Sequence, residues 1–239
     1  MLKRIANNRD KTSLAGRLRL KRFAIFTSLV AKLQRPVRIL DIGGTQNFWE
    51  VMGGKLGDGI SVELLNLQKE PVSLPGMTSV AGDARKIPMP SDSFDVIFSN
   101  SVIEHLGRFE DQKLMAGEVR RLGPRYFIQT PNRYFPIEPH FLVPFFQFLP
   151  AVIRIWMVRN FTVGWQPREP DYREASKIVN NIRLLTRQEL LSLFPDATLL
   201  EETVLGIRKS FIACGGWEGN SNYPVSASGH CPEMKRFQL

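Results

Sequence analysis

The chain is poor in the residues that build metal sites and disulfides. Its 239 residues include two cysteines, Cys214 and Cys231, and three histidines, with no C-x-x-C pair. Because zinc sites take several thiolates or imidazoles at short spacings, the sequence predicts no metal site. Two cysteines without a disulfide framework are typical of a reducing compartment, so we expect a cytoplasmic protein.

Long apolar runs are also missing. The first 22 residues are basic and polar, without the apolar core that a signal peptide needs. The most apolar stretch begins at Phe141, but Pro144, Pro150 and Arg154 interrupt it before it could span a bilayer. Hydrophobic residues make up 43% of the chain, an ordinary fraction for a globular protein, and the length suits one α/β domain with extensions.

Positive charge is concentrated at the N-terminus. The net charge is +9, and residues 1–38 alone carry eleven Lys and Arg against one acid, Asp10. Apolar residues recur there at helical spacing, which predicts a basic helix over about 13–34 within an extension of residues 1–35. This helix either covers one end of the core or lies on an anionic membrane. It lacks the interleaved aromatics of a base-stacking surface, which argues against nucleic-acid binding.

The most informative stretch is residues 37–48, where an apolar run ends in Asp41 and is followed at once by Gly43 and Gly44. This pattern predicts a buried strand that breaks into a tight turn, where the missing Cβ atoms let a ligand approach the backbone. The phosphate-binding pattern G-x-G-x-x-G is absent, because Thr45 and Asn47 stand where further glycines would be.

Two further predicted strands also end in small or polar residues. Val80 and Ala81 lead to Gly82-Asp83-Ala84, and the run Phe94–Phe98 leads to Ser99, Asn100 and Ser101. We predict strands near 37–42, 60–67, 78–82, 94–99, 125–130, 197–204 and 208–214. A helix is expected near 109–122, with Leu114, Met115, Val119 and Leu122 on one face, and Thr186 and Glu189 form a capping box that opens another. Alternation of this kind predicts a parallel sheet, whose strand ends meet at one edge.

The stretches ILDIGG, AGDARKIPMPSDSFDVIFSNSVIEHL and RYFIQTPN resemble the class I S-adenosylmethionine-dependent methyltransferases, in particular the type 11 small-molecule branch. The resemblance covers about residues 36–132 and, more loosely, 186–214. It implies an α/β fold, a Rossmann-like seven-stranded sheet flanked by helices, within a methyltransferase domain over 36–214. It also implies S-adenosyl-L-methionine as the cofactor and a small-molecule, glycan-intermediate or lipid-like acceptor.

The same resemblance assigns the cofactor site. Asp41, Gly43 and Gly44 would hold the amino-acid end of the cofactor, and Asp83 with Ala84 would contact the adenine. Asn66 stands where the family has an acid for the ribose hydroxyls; an amide can bond a diol without charge assistance, and Glu63 is the fallback. Asn100, at the end of the fourth predicted strand, completes the set.

An aromatic and proline-rich insertion over about 133–185 follows the fifth predicted strand. It forms a lid over the acceptor, an apolar surface that meets lipid, or a plain helical cap. His140 within it and His105 before it are candidate bases, although a lone histidine is more often structural. Further candidates are Glu138, which would orient His140, and the acceptor-positioning residues Thr130, Asn132 and Tyr134.

Residues 215–239 are rich in Gly, Ser and Pro, and we expect them to be disordered. Asn66 and the missing loop glycines keep a second function open, a non-catalytic binding module on a methyltransferase fold. Oligomeric state leaves no mark in the sequence.

Overall fold

The computed structural model describes residues 3, 6–7, 10–53 and 57–217, together with the backbone of 236–238. Its strands are β1 (Val37–Ile42), β2 (Ile60–Asn66), β3 (Met77–Ala81), β4 (Val96–Asn100), β5 (Tyr126–Pro131), β6 (Thr198–Val204), β7 (Ile207–Gly215) and β8 (Arg236–Gln238). Its longer helices are α1 (Leu14–Val30), α2 (Gln46–Met52), α3 (Phe109–Leu122), α4 (Ala151–Asn160), α5 (Tyr172–Asn180) and α6 (Arg187–Leu193). Short 3₁₀ turns occupy Ile103–Leu106 and Phe146–Phe148.

The described strands form one sheet in the order β3-β2-β1-β4-β5-β7-β6-β8. The first five are parallel, and β7 runs antiparallel between β5 and β6. The order reverses between β1 and β4, which is where open α/β sheets leave a crevice at the carboxyl ends of their strands. The predicted Rossmann-like sheet of seven strands is therefore confirmed for β1 to β7.

The tail departs from the predicted disorder at both of its described ends. Gly215 completes β7, and the Trp217 indole N–H donates to the carbonyl of Tyr126 at 2.9 Å. Arg236–Gln238 pairs in parallel with β6 as an eighth strand, because the outer edge of β6 offers free backbone groups. Residues 218–235 and 239 lie outside the described residues.

One face of the sheet is covered by α1 and α2. Phe26 of α1 packs on Phe98 of β4 with ring centroids 4.4 Å apart, and on Phe127 of β5 at 5.4 Å. Burial of Leu18, Phe26 and Leu29 therefore turns the apolar side of α1 toward the sheet. The sequence left open whether this helix covers the core or lies on a membrane. In the structure α1 packs on the core.

The other face is covered by α3 and α6. Met115, Val119 and Leu122 are buried there as predicted, but Leu114 is 54% exposed, and Ala116 takes the inward position instead. The difference arises because Leu114 precedes Met115 by one residue, about 100° around the helix. The capping box of Thr186 and Glu189 forms at the start of α6.

The insertion after β5 is a packed unit with a small apolar core of its own. Its members come from the segment after β5, from α4 and α5 and from the loop between these helices: Phe141, Phe146, Ile155, Val158, Val163, Ala175 and Val179. Of the helices in the described residues, none is long and apolar enough to cross a membrane. The insertion thus folds beside the carboxyl edge of β4 and β5.

Candidate active site

The loop after β1 is built around the buried carboxylate of Asp41. The Trp49 indole N–H donates to Asp41 Oδ2 at 2.8 Å, and Asp41 is 1% exposed. A Cβ on Gly44 would lie 1.9 Å from the same oxygen, so only glycine fits there. Gly43 has a φ of +73°, which also favours glycine. The tight turn that the sequence predicted is present.

Burial raises the pKa of Asp41 to about 7, although the Trp49 hydrogen bond and the positive charge of Arg19 act in the opposite direction. The resemblance led us to expect Asp41 at the amino-acid end of the cofactor. In the structure its carboxylate faces the loop from behind, because the turn closes over it. Asp41 therefore shapes the backbone of Gly43 and Gly44, and its contact with the cofactor stays a prediction.

Thr45 has a role that sequence reasoning missed. It stands where a further glycine was expected, and its hydroxyl accepts a hydrogen bond from the Phe48 N–H at 3.2 Å as the N-cap of α2. The signal was available, because threonine is a preferred N-cap residue. The departure from the glycine pattern thus starts a helix.

Asn66 and Asp83 lie at the ends of neighbouring strands. Asn66 Nδ2 donates to the carbonyl of Gly44 at 2.8 Å, so the end of β2 is tied to the loop after β1. Glu63, the fallback ribose ligand, lies three residues before that end. Asp83 is paired with Arg85 at 2.6 Å, which lowers the pKa of the carboxyl. Ala84 packs beside it against the core.

Asn100 belongs to a buried polar network that the sequence did not reveal. The guanidinium of Arg22, from α1, donates to Asn100 Oδ1 and also pairs with the Glu202 carboxylate at 2.8 and 3.0 Å. Ser210 of β7 donates to the same carboxylate. Arg22, one of the basic residues of the predicted N-terminal helix, is therefore buried, and it ties α1 to β4 and β6.

These strand ends fit the nucleoside and amino-acid parts of S-adenosylmethionine. The glycines at 43 and 44 let the loop pack closely on Val102 and Asp41, and half-buried Asn66 and Asp83 lie on the same edge. Gly43, Gly44, Asn66, Asp83 and Ala84 thus lie together at the edge where the resemblance predicts the cofactor.

A second cluster lies where the insertion meets the ends of β4 and β5. Glu104 is fully buried, and the Thr130 hydroxyl donates to its Oε2 at 3.0 Å. The rings of His105 and His140 meet edge to face with centroids 4.7 Å apart. His140 Nδ1 lies 2.6 Å from Glu138 Oε1. The structure thereby brings together four of the predicted candidates, which are far apart in the sequence, and adds Glu104 to them.

The pKa values of the residues in this cluster are shifted in different directions. Burial raises the pKa of Glu104 to about 7, against the opposing effects of His140 and Thr130. Packing of its inner side against the cluster, with the charge of His140, lowers the pKa of His105, whose outer side is exposed. Burial also works against the charged form of His140, but the hydrogen bond and charge of Glu138 raise its pKa overall.

Asn132 and Tyr134 lie apart from the cluster. Asn132 Nδ2 donates to the carbonyl of Arg208 at 2.8 Å and its Oδ1 accepts from the Tyr134 N–H at 3.0 Å, so the side chain supports the loop after β5. Tyr134 is 65% exposed and stacks on Phe148. That both position the acceptor stays a prediction, and in the structure Asn132 is hydrogen-bonded to β7.

A cavity of about 240 Å³ borders Glu138 within the insertion. Phe141 and Phe146 form part of its wall, and the side chains of Arg133, Arg154 and Arg183 supply polar groups. Because one wall is apolar and the other carries guanidinium groups, the cavity suits a ring with oxygen substituents.

Residues 50–123 match a family model described as a methyltransferase domain. The chain is 30% identical over 152 residues to 2-methyl-6-phytyl-1,4-hydroquinone methyltransferase 2 of Oryza sativa subsp. japonica, covering 60% of this chain and 38% of that protein. It is 40% identical over 53 residues to an uncharacterised protein of Mycobacterium tuberculosis, covering 22% and 18%. The chain thus spans less than two fifths of the length of these curated relatives.

Two solved structures show the same fold at 15% identity. A methyltransferase from Aquifex aeolicus, described as dependent on S-adenosylmethionine, superposes with a TM-score of 0.50 over 90% of this chain and 98% of its own. The carbon methyltransferase CurJ superposes with a TM-score of 0.56 over 88% and 57%. The family model and the fold together imply S-adenosylmethionine as the cofactor, as the resemblance predicted.

Proposed function

We propose that this chain, which carries a methyltransferase domain of the class I, S-adenosylmethionine-dependent family, methylates a hydroxyl-bearing apolar small molecule. The cofactor supplies an activated methyl group, because the bond to its sulfonium sulfur breaks with the electron pair going to sulfur. The observation that carries the proposal is the Glu138–His140 pair at the carboxyl edge of β4 and β5.

The chain's own contribution is to position the acceptor and take up its proton. A phenol-like hydroxyl must lose its proton whether the methyl group goes to the oxygen or to a ring carbon made nucleophilic by the oxygen. Glu138 accepts three hydrogen bonds, from the N–H groups of His140 and Phe141 and from His140 Nδ1, so it is held rigidly. It directs the other ring nitrogen of His140 toward the cluster.

The apolar character of the acceptor is supported by one relative. The relative from Oryza sativa is named for a hydroquinone that carries a phytyl chain. Among the acceptor classes expected from the sequence, this name favours a lipid-like ring compound over a glycan intermediate.

Titration calorimetry with S-adenosylhomocysteine tests the cofactor site. We expect micromolar binding by the wild-type protein and at least tenfold weaker binding by Gly44→Ala, a loss of about 1.4 kcal/mol. The reason is that the new Cβ overlaps the Asp41 carboxylate at 1.9 Å and displaces the loop. Gly117→Ala is the matched control, because a Cβ at that position of α3 meets nothing within 4 Å.

No binding by a folded wild-type protein would overturn the proposed function and favour a binding module for another ligand. If the cofactor product binds, a panel of hydroquinones and catechols with alkyl chains, assayed with radiolabelled cofactor, identifies the acceptor. Cofactor binding without turnover of any hydroxyl acceptor would instead support the non-catalytic module.

We also propose that the insertion contacts a membrane surface, since an apolar acceptor is delivered there. On α4, Val152, Ile153 and Trp156 are 77%, 44% and 54% exposed and share one side of the helix. Flotation with phosphatidylglycerol vesicles should carry the wild-type protein upward, and Trp156→Glu should reduce this. Leu114→Glu on α3, also 54% exposed, should have no effect. Absence of flotation at low salt would refute the proposal.

A further inference from the structure

Three side chains in the active-site cluster form the donor set of a metal site. Glu104, His105 and His140 each offer one ligand atom, and these atoms lie within 4.8 Å of one another. The sequence argued against a metal site because it showed no histidine cluster. The folded chain nevertheless brings two histidines together, because the insertion places His140 against His105, 35 residues earlier in the sequence.

Glu104 carries an unsatisfied oxygen that points to a missing partner. Its Oε2 accepts from Thr130, but within the described residues Oε1 is buried and has no hydrogen-bond partner. A buried carboxylate oxygen without a donor is costly, and such groups call for an ion or another partner. A cation beside Glu104 would supply that partner.

The hydrogen bonds around His140 prepare it to act as a ligand. Its Nδ1 faces Glu138 Oε1 at 2.6 Å, while Glu138 Oε2 accepts the backbone N–H groups of His140 and Phe141, each at 2.7 Å. With Nδ1 occupied, Nε2 is left for a metal. A carboxylate that holds the far nitrogen of a histidine is the usual support of a metal-bound imidazole.

We propose that Glu104, His105 and His140 bind one divalent first-row transition-metal ion of the zinc class. Two imidazoles and one carboxylate suit such ions, whereas magnesium and calcium prefer oxygen ligands throughout. Zinc lies about 2.0–2.2 Å from such donors, which places the donors about 3.3–3.6 Å apart in a tetrahedral site, so atoms up to 4.8 Å apart would close by at most about 1.2–1.5 Å. His105 forms the open side of the cluster, where a small ligand reaches the ion.

The role of the ion, unlike its binding, rests on the proposed function. Three protein ligands leave at least one position for the acceptor oxygen. Coordination lowers the pKa of the acceptor hydroxyl, whose proton passes to solvent, and the oxygen then carries the electron pair that the methylation needs. With the ion bound, His140 would be a metal ligand, and the ion would replace it in activating the acceptor hydroxyl.

Zinc chloride titrated into metal-free protein tests the site by calorimetry, without any turnover. We expect one zinc per chain, and at least 100-fold weaker binding by Glu104→Gln and by His140→Gln. The histidine control is His230→Gln, which should bind zinc like the wild-type protein. Thermal unfolding of each variant, and its affinity for S-adenosylhomocysteine, report whether the fold is retained.

A positioning role for Glu138 has its own readout. Glu138→Gln keeps the three direct ligands but loses the charge behind His140, so zinc binding should weaken about 10–100-fold. Cobalt(II) as the probe should give visible d–d absorption in the wild-type protein and lose it in Glu104→Gln. Absence of zinc binding, or equal binding by the variants that retain the fold, would overturn the metal site. Cofactor-product binding in the same samples would leave the proposed function standing, whereas its absence would refute that function separately.

Discussion

Replacement of Asp41 by asparagine should stabilise the protein near neutral pH. The Asp41 carboxylate is 1% exposed, so its charged form is poorly solvated. The single hydrogen bond from the Trp49 indole compensates for only part of that loss. Its pKa is raised from 3.8 to about 7 by burial. The amide introduced by Asp41→Asn would offer a neutral oxygen to the same indole N–H, and the cost of charging the site would vanish.

The sign follows from proton linkage. Between about pH 4 and about pH 7 the folded protein holds a proton on Asp41 that the unfolded chain has lost, so stability falls as pH rises through that window. Each unit of pKa shift is worth about 1.4 kcal/mol, and the rise in the pKa of Asp41 corresponds to about 4 kcal/mol at full development. Between about pH 5 and pH 7 the wild-type protein should therefore lose about 2 kcal/mol relative to Asp41→Asn.

Urea unfolding at several pH values measures this difference directly. Taking the difference between the two proteins cancels other titrating groups, including Glu104, whose pKa is also raised to about 7. The melting temperatures should separate by roughly 4–8 °C more at about pH 7 than at about pH 5. A stability difference between the two proteins that stays constant across that range, or that shrinks with rising pH, would refute the buried, protonated state of Asp41.

Two further predictions concern the contacts around the strand ends. Arg22→Met should lower the free energy of unfolding in urea by about 3–5 kcal/mol, because it leaves the Glu202 carboxylate buried without its ion pair. Arg17→Met, at an exposed position of the same helix, should change little. Equal effects of the two substitutions would contradict a stabilising ion pair between Arg22 and Glu202. Trp49→Phe should lower the free energy of unfolding by about 1–3 kcal/mol, because the indole donor is lost. In a double-mutant cycle with Asp41→Asn, the cost of Trp49→Phe should differ between the two backgrounds. Equal costs in both backgrounds would count against the hydrogen bond between Trp49 and Asp41.

The secondary structure was largely predictable because each element carries its own local signal. The strands at 37–42 and 126–131 are short apolar runs that end in turns, and the helix at Phe109–Leu122 has a clear apolar period. Errors fall where local signals are weak. The helical spacing predicted that Leu114 faces the core, whereas the face that meets the sheet contains Met115 and Ala116. The strand β8, which was not predicted, has only three residues and so little local signal.

The strand ends that the resemblance assigns to the cofactor lie together in the structure, and one of their side chains is buried. Gly43, Gly44, Asn66 and Asp83 do lie at neighbouring strand ends, because parallel strands bring these ends together. Asp41 was expected to face the cofactor, but its burial depends on Trp49, which folds back from α2. Side-chain direction at a turn is a tertiary property.

Neighbouring residues along the chain were enough to predict the order of strands and helices, the glycine turn after β1 and the methyltransferase resemblance. The tertiary structure alone decided the long-range partners. It joined Arg22 to Glu202 across 180 positions and returned His140 to His105 and Glu104. The physical reason is that buried charges must find partners wherever the packed chain brings them close, and no local periodicity records that meeting.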